Sequence, residues 1–187
     1  MKKIIWLLIG VVCIFWCTRI YWVNQEKREI ELYHMGEMIS YEPLIVTATE
    51  ACLLDSRSFE ERFKVATDTI PGLEADKSSY QIIGVCLLLE NNGKNLITWE
   101  EIERSIGVGF EAVVWRNGMD PYLGSAINQN KGEGIGPGMA QEIWYMTTIN
   151  RSSFKENSWL HHEEQTFYFV TSLYPHKKWI ELKLGKE

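Results

Sequence analysis

Apolar positions along the chain first run together and then alternate. Residues 4–17 (IIWLLIGVVCIFWC) hold no polar side chain, and after Thr18 and Arg19 the apolar character resumes through Ile20, Tyr21, Trp22 and Val23. As a helix, the 20 residues from Ile4 to Val23 reach about 30 Å at about 1.5 Å per residue, the thickness of a bilayer hydrocarbon core. The pattern predicts an N-terminal signal anchor over residues 1–23. Arg19 lies one turn from the end of the run, where its charge snorkels outward at small cost. Trp16, Tyr21 and Trp22 suit an interfacial aromatic belt, and Lys2 and Lys3 keep the N-terminus in the cytoplasm. The bulky stretch 15–21 (FWCTRIY) offers no small-residue cleavage site, so the segment reads as an uncleaved single-pass span with everything after it extracytoplasmic.

Residues 24–32 turn abruptly charged and read as a solvated stalk. From residue 33 to 187 the pattern is that of a mainly β domain. Strands are predicted over 38–54 (MISYEPLIVTATEACLL), 80–89 (YQIIGVCLLL), 110–115 (FEAVVW), 142–149 (EIWYMTTI), 166–173 (TFYFVTSL) and 179–184 (WIELKL), each rich in β-branched and aromatic residues. Turn signals separate them at residues 91–95, 117–118, 132–138, 150–153 and 174–176. In the last strand Ile180, Leu182 and Leu184 fall on one face, while Trp179, Glu181 and Lys183 fall on the other. The strand over 80–89 is apolar on both faces and so predicts a central position covered on both sides. Residues 56–79 are the least strand-like; Phe59, Phe63 and Ala66 share a helical face, and 100–105 offers a second short helix. Strands at this spacing predict an immunoglobulin-like antiparallel β-sandwich with one or two short helices in its loops.

Composition narrows the function more than the fold. Of the 187 residues, 45% are hydrophobic and eight are Trp, too apolar for a disordered chain. Three of the 19 basic side chains (Lys2, Lys3, Arg19) precede residue 24 and none of the 25 acidic ones does, so the remainder carries a net charge of −9. Phosphate backbones are bound mainly by Lys and Arg; this balance repels them and excludes a nucleic-acid partner.

The order of landmarks resembles a known group. Tyr33, Gly36 and Glu37 follow the anchor, then Ile45-Val46-Thr47-Ala48-Thr49, a central strand ending at Glu90-Asn91, Gly136-Pro137-Gly138 before a strand, and a closing Leu173-Tyr174-Pro175 with Lys177, Lys178, Trp179 and Ile180. This is similar to the small membrane- or lipid-anchored proteins of unknown function in Gram-positive bacteria whose outer part is an immunoglobulin-like sandwich. Some of that group carry a misleading telomeric repeat-binding-factor label, and in outline they resemble secreted immunoprotective sandwich antigens. The resemblance implies a location and a fold and carries over no catalytic residue. The chain departs from the lipid-anchored members in lacking a lipobox, since Val12 precedes Cys13 and Trp16 precedes Cys17.

Candidate chemistry is sparse. His161-His162-Glu163-Glu164 combines imidazole and carboxylate donors, yet adjacent strand residues point to opposite faces, and a solvated loop is the simpler reading. The glycine run 132–138 carries Glu133 and is not followed by a helix, so it is an inter-strand loop and no anion cradle. Cys52 and Cys86 are the candidate disulfide pair, with free buried thiols as the alternative. His34 and His176 complete the histidines, no nucleophile elbow marks a serine, and Trp115, Trp144, Trp159 and Trp179 are core residues or, if exposed, a glycan platform. The expectation is a non-catalytic extracytoplasmic binding module of the cell envelope, with a protein or glycan partner and no cofactor, metal or catalytic residue. The rival readings are an accessory or immunity subunit of a membrane transporter, for which Gly10, Cys13 and Cys17 supply the packing face, and an envelope hydrolase or metal-binding enzyme, which needs converging histidines.

Overall fold

The computed structural model describes residues 29–73, 76–129, 131–173 and 175–185, together with residue 10 and residues 12–21. In chain order the elements are β1 (Glu29–His34), β2 (Met38–Tyr41), β3 (Leu44–Leu54), α1 (Ser56–Phe63), β4 (Tyr80–Asn91), β5 (Ile97–Thr98), α2 (Trp99–Ser105), β6 (Gly109–Glu111), β7 (Arg116–Asn117), α3 (Pro121–Ile127), β8 (Gly134–Ile135), β9 (Ala140–Asn150), α4 (Glu156–Leu160), β10 (Phe167–Ser172) and β11 (His176–Leu182), with 3-10 turns at Thr67–Thr69, Arg151–Ser153 and His162–Glu164. A five-stranded sheet runs β1-β11-β10-β6-β7 and a four-stranded sheet runs β2-β3-β4-β9, while β5 and β8 make a two-residue ribbon. All pairings are antiparallel except β1 on β11.

Alternation places the core between the two sheets. Val46, Ala48, Ile83, Val85, Leu87 and Leu89 from the four-stranded sheet meet Phe110, Phe167, Phe169, Ile180 and Leu182 from the five-stranded one. The opposite face of β4 is also covered, as its apolar character requires: Ile82 and Tyr80 pack with Phe59 of α1 and Leu123 of α3 in a second apolar cluster. The fold is therefore a sandwich with a partial helical layer outside one sheet.

Local chemistry sets the helix limits. Asp55 caps α1 by accepting from the Ser58 backbone N–H at 2.7 Å, and Lys64 ends it in the left-handed region at φ 58°. The predicted helical face of Phe59, Phe63 and Ala66 thus loses Ala66, which lies past the helix. A reciprocal capping box between Thr98 and Glu101 starts α2. Asp120, followed by Pro121 in the first turn, starts α3, a helix that the strand pattern did not predict. The same holds for α4.

Boundaries differ from the sequence expectation in several places, and the single strand predicted over 38–54 turns back at residues 42–43 into the antiparallel pair β2 and β3. Residues 29–32, expected in the stalk, belong to β1: Glu29 and Glu31 face His176 and Lys178 of β11, so their charges pair across a sheet edge instead of standing in solvent. The predicted strand over 110–115 stops at Glu111, because Ala112 and Trp115 close a turn that leaves Val113 85% exposed. Of the predicted anchor over 1–23, residues 1–9, 11 and 22–23 lie outside the described residues. Its described part, residues 12–21, is helical and exposed, and among the described residues no helix is long and apolar enough to cross a membrane.

Candidate functional site

The histidines do not converge. His161 is exposed and meets Glu164 Oε1 at 3.3 Å, and His176 faces Glu29 at 3.8 Å. His34 faces Glu181 at 3.4 Å. His162 is buried, stacked on Trp159 with ring centroids 4.2 Å apart; one ring nitrogen faces the Trp159 carbonyl and the other lies 2.5 Å from Gln81 Oε1. The segment expected as a loop is a 3-10 turn that follows α4, which explains why the adjacent imidazoles part. Among the described residues no group of three His, Cys, Asp or Glu is placed to hold a metal ion.

Cys52 and Cys86 are both buried and are not joined to each other by a disulfide. The β3–β4 register puts Cys52 opposite Gly84 and Cys86 opposite Glu50, so the pair is diagonal instead of facing, and burial pushes the Cys86 thiol up. The glycine run is no open cradle. Its Gly134 pairs with Thr98, and a Cβ there would lie 2.2 Å from the Ile97 carbonyl oxygen, so only glycine allows the β5–β8 approach. The four tryptophans are dispersed: Trp115 is in the core, Trp144 packs edge-on against Phe63, and Trp179 stacks on Tyr168 at 4.7 Å.

What the fold does assemble is an open pocket of about 490 Å³ at one end of the sandwich. The end of β3 and the cap of α1 supply Leu53, Leu54, Asp55 and Ser58; the start of β4 supplies Gln81; the 3-10 turn and the approach to β10 supply Glu163, Gln165 and Thr166. The end of β11 and its tail complete the wall with Glu181, Leu182, Leu184 and Gly185. The Gly185 N–H donates to Ala51 O at 3.4 Å, fastening that tail across the two sheets.

Its polar groups are held from behind. Gln81 Nε2 donates to Glu163 Oε1 at 2.8 Å while Gln81 Oε1 is held by His162, so the buried histidine orients the carboxamide and the carboxamide orients the carboxylate. The backbone N–H of Ser58 holds the Asp55 carboxyl below its usual range, which keeps it ionised. The Gln165 Oε1 atom is sealed from solvent and has no hydrogen-bond partner among the described residues, an uncompensated acceptor in the pocket wall. No Lys, Arg or His lines the pocket.

The pocket lies far from where the chain joins the sandwich. Glu29, the first residue of β1, is beside His176, and β11 runs from there to Leu182 in the pocket wall, about 20 Å of strand at about 3.3 Å per residue. As candidate chemistry the sequence pattern singled out only Glu163 of these residues; Glu181, Leu182 and Leu184 entered only through strand alternation. Gln81 was visible as the one hydrogen-bonding polar side chain besides Tyr80 in the otherwise apolar strand predicted over 80–89; nothing in the pattern joined it to Asp55 or Glu181.

No protein-family model matches the chain, and no curated protein matches it. Among solved structures, the chain is similar to an uncharacterised β-sandwich protein from Clostridium difficile 630, with a TM-score of 0.53 and 11% identity over 85% of this chain and 98% of that one. A conserved hypothetical protein from Bacillus anthracis aligns with a TM-score of 0.49 and 13% identity over 81% of this chain and 95% of that one. At such identity the first likeness shows the fold alone, and the fold it shows is the mainly β sandwich described above.

Proposed function

We propose that the chain is a membrane-tethered, extracytoplasmic binding module of the cell envelope, non-catalytic, with the N-terminus in the cytoplasm and the end pocket as its ligand site. The observation that carries this reading is the position of the pocket at the end of the sandwich opposite the start of β1. A tether leading into Glu29 then points the pocket away from the bilayer and toward envelope components. The apolar run 4–23 supports the tether. So do Ile14, Phe15 and Trp16, each at least 60% exposed on the helical residues that the structure describes, since an apolar helix face in need of cover finds it in lipid. On the same footing the sandwich is read as immunoglobulin-like. Support comes from the adjacency of β6, β10 and β11 with β1 parallel beside them; the departure is β4, which follows β3 directly and sits next to it.

Protease treatment of intact protoplasts, followed by mass analysis of the protected fragment, tests the topology. The sandwich should be digested before lysis while residues 1–23 survive. Digestion only after lysis, or recovery of a freely soluble chain trimmed at its front, overturns the tether. Recovery of an envelope component by the full chain in mild detergent supports the binding role, and turnover of a substrate panel by the same preparation rejects the non-catalytic reading.

A further inference from the structure

We propose that Cys52, Cys86 and Met146 form a site for one soft monovalent metal ion, of the Cu(I) or Ag(I) class, on the outer face of the four-stranded sheet. The site is separate from the end pocket and does not depend on the binding role given to it. Register is the first argument. Cys52 stands opposite Gly84 of β4, and Gly84 stands opposite Met146 of β9, so a thiol and a thioether flank the one position in that row with no side chain. A Cβ on Gly84 would lie 3.4 Å from Cys52 Sγ and 3.0 Å from both Cε and Cγ of Met146; the two sulfur side chains therefore lean over the same glycine. Cys86 is two residues further along β4, hence on the same face, in the next row between Glu50 and Trp144. Diagonal neighbours across an antiparallel pair are about 7–8 Å apart at the backbone and closer at their side chains, within reach of two thiolates bound to one ion at about 2.3 Å each.

The identity of the donors is the second argument. Thiolate and thioether sulfurs are soft and favour Cu(I)-type ions, whereas structural Zn²⁺ takes four ligands and draws on imidazole and carboxylate as well. Among the described residues no three of His, Cys, Asp and Glu are placed around one ion. The third donor beside the two cysteines is a thioether, and the set suits an ion content with fewer than four ligands.

The cover over the sulfurs supplies the third argument. All three residues are buried. Burial pushes the Cys86 thiol up, and Arg62 pulls against that shift. The Arg62 guanidinium pairs with Glu50 and stands 5.2 Å from the Trp144 ring centroid, so it crosses the row that holds Cys86, on the side where thiolate charge develops. Arg62 and Phe63 belong to the last turn of α1, which ends at Lys64. Helix ends fray, and the lifting of that turn opens a way in. On binding, each thiol gives its proton to solvent and its sulfur lone pair to the metal, with no change in the oxidation state of either.

The test is titration of the full chain, carrying Cys13→Ser and Cys17→Ser to remove the other two cysteines, in non-ionic detergent without oxygen. The probes are Ag(I) alone and Cu(I) held by a chromophoric chelator whose loss of colour reports transfer. One ion per chain is expected, held at least tenfold more weakly after Cys52→Ala or Cys86→Ala and at least threefold more weakly after Met146→Leu, a swap of similar volume. Acidification should weaken binding as the thiols regain their protons, and Zn²⁺ should bind at least tenfold more weakly than Cu(I). If an alanine variant fails to fold, copper-edge X-ray absorption of the parent chain decides: a first shell of sulfur alone is expected, and nitrogen or oxygen ligands would overturn the site. No ion bound, binding unchanged by any of the three substitutions, Zn²⁺ held as tightly as Cu(I), or a Cys52–Cys86 disulfide in the untreated protein would each overturn it as well.

Discussion

Glu111 and Lys177 provide the sharpest test of how the outer face of the five-stranded sheet is held. Glu111 Oε2 accepts from Lys177 Nζ at 2.5 Å and from Trp179 Nε1 at 3.1 Å, and its second oxygen meets Arg116 Nε at 2.9 Å. The side chains of Lys177 and Glu111 are 4% and 10% exposed, and the ammonium also lies 4.8 Å from the Trp179 ring centroid. Removing the carboxylate by Glu111→Ala takes a charged partner from a buried ammonium, a loss of about 3–5 kcal/mol for one partner of a buried pair. Arg116 is 76% exposed and adds at most about 1 kcal/mol. Lys177→Met is milder, about 1–3 kcal/mol, because Glu111 keeps Trp179 and Arg116 as donors.

Glu111→Leu combined with Lys177→Met should recover most of the larger loss, since a buried pair replaced by apolar side chains of similar volume is often neutral. Denaturant unfolding followed by tryptophan fluorescence measures wild type, Glu111→Leu, Lys177→Met and the double variant, the four corners of the cycle. A coupling energy of about 2 kcal/mol or more is expected from groups in direct contact. Strict additivity, or a Glu111→Ala variant within about 1 kcal/mol of wild type, would refute the claim that this pair is buried and mutually dependent.

Three further outcomes follow from single contacts. Asn128 clips the outer edge of β9 by accepting from Trp144 N and donating to Trp144 O and Gly124 O; Asn128→Ala should cost about 2–3 kcal/mol at about 1 kcal/mol per bond and raise self-association in sedimentation through the opened edge, and an unchanged monomer of unchanged stability would count against it. Glu60 is held at about 2, down from 4.5, by Lys77 and by the Thr67 hydroxyl and N–H. Because the folded value is the lower one, its contribution is complete above about pH 4.5 and is lost as pH falls toward 2; hydrogen exchange in α1 should show that loss, Glu60→Gln should flatten it, and a pH-independent α1 would contradict the assignment. Gly134→Ala forces a Cβ to within 2.2 Å of a backbone oxygen and should lower the thermal midpoint by more than the roughly 0.5–1 kcal/mol of an ordinary glycine effect, whereas Gly118→Ala, with open space around it, should not.

The fold was legible where one physical signal dominates. The two-faced apolar run of β4 required cover on both sides, and the second sheet and helices α1 and α3 provide it. Alternation in β11 assigned Ile180 and Leu182 correctly to the core, while Leu184, past the end of the strand, is only partly buried against it. Where two signals compete, the reading slipped. The acidic side chains of β1 outweigh its Ile-Leu alternation in composition, but their partners, His176 and Lys178, stand about 145 residues further along and no local window contains both. Helix α3 was written in Asp120-Pro121, a cap followed by a first-turn proline; the apolar content around it hid that signal.

The pocket was illegible for a related reason. Its wall is drawn from four separated stretches, and what brings them together is register: β3 pairs with β4 so that Leu54 ends opposite Ile82, and the parallel bridge of Gly185 to Cys52 folds the tail of β11 over the same end. Shifting any one of these strands by a single residue would turn its side chain to the opposite face, so the constellation of Asp55, Glu163 and Glu181 exists only once the sheets are paired. Sequence supplied acidic residues in excess, and an excess alone reads as solvation. Only the sealed carboxamide oxygen of Gln165 and the histidine-backed Gln81, neither of which is charged, separate this end of the sandwich from an ordinary acidic surface.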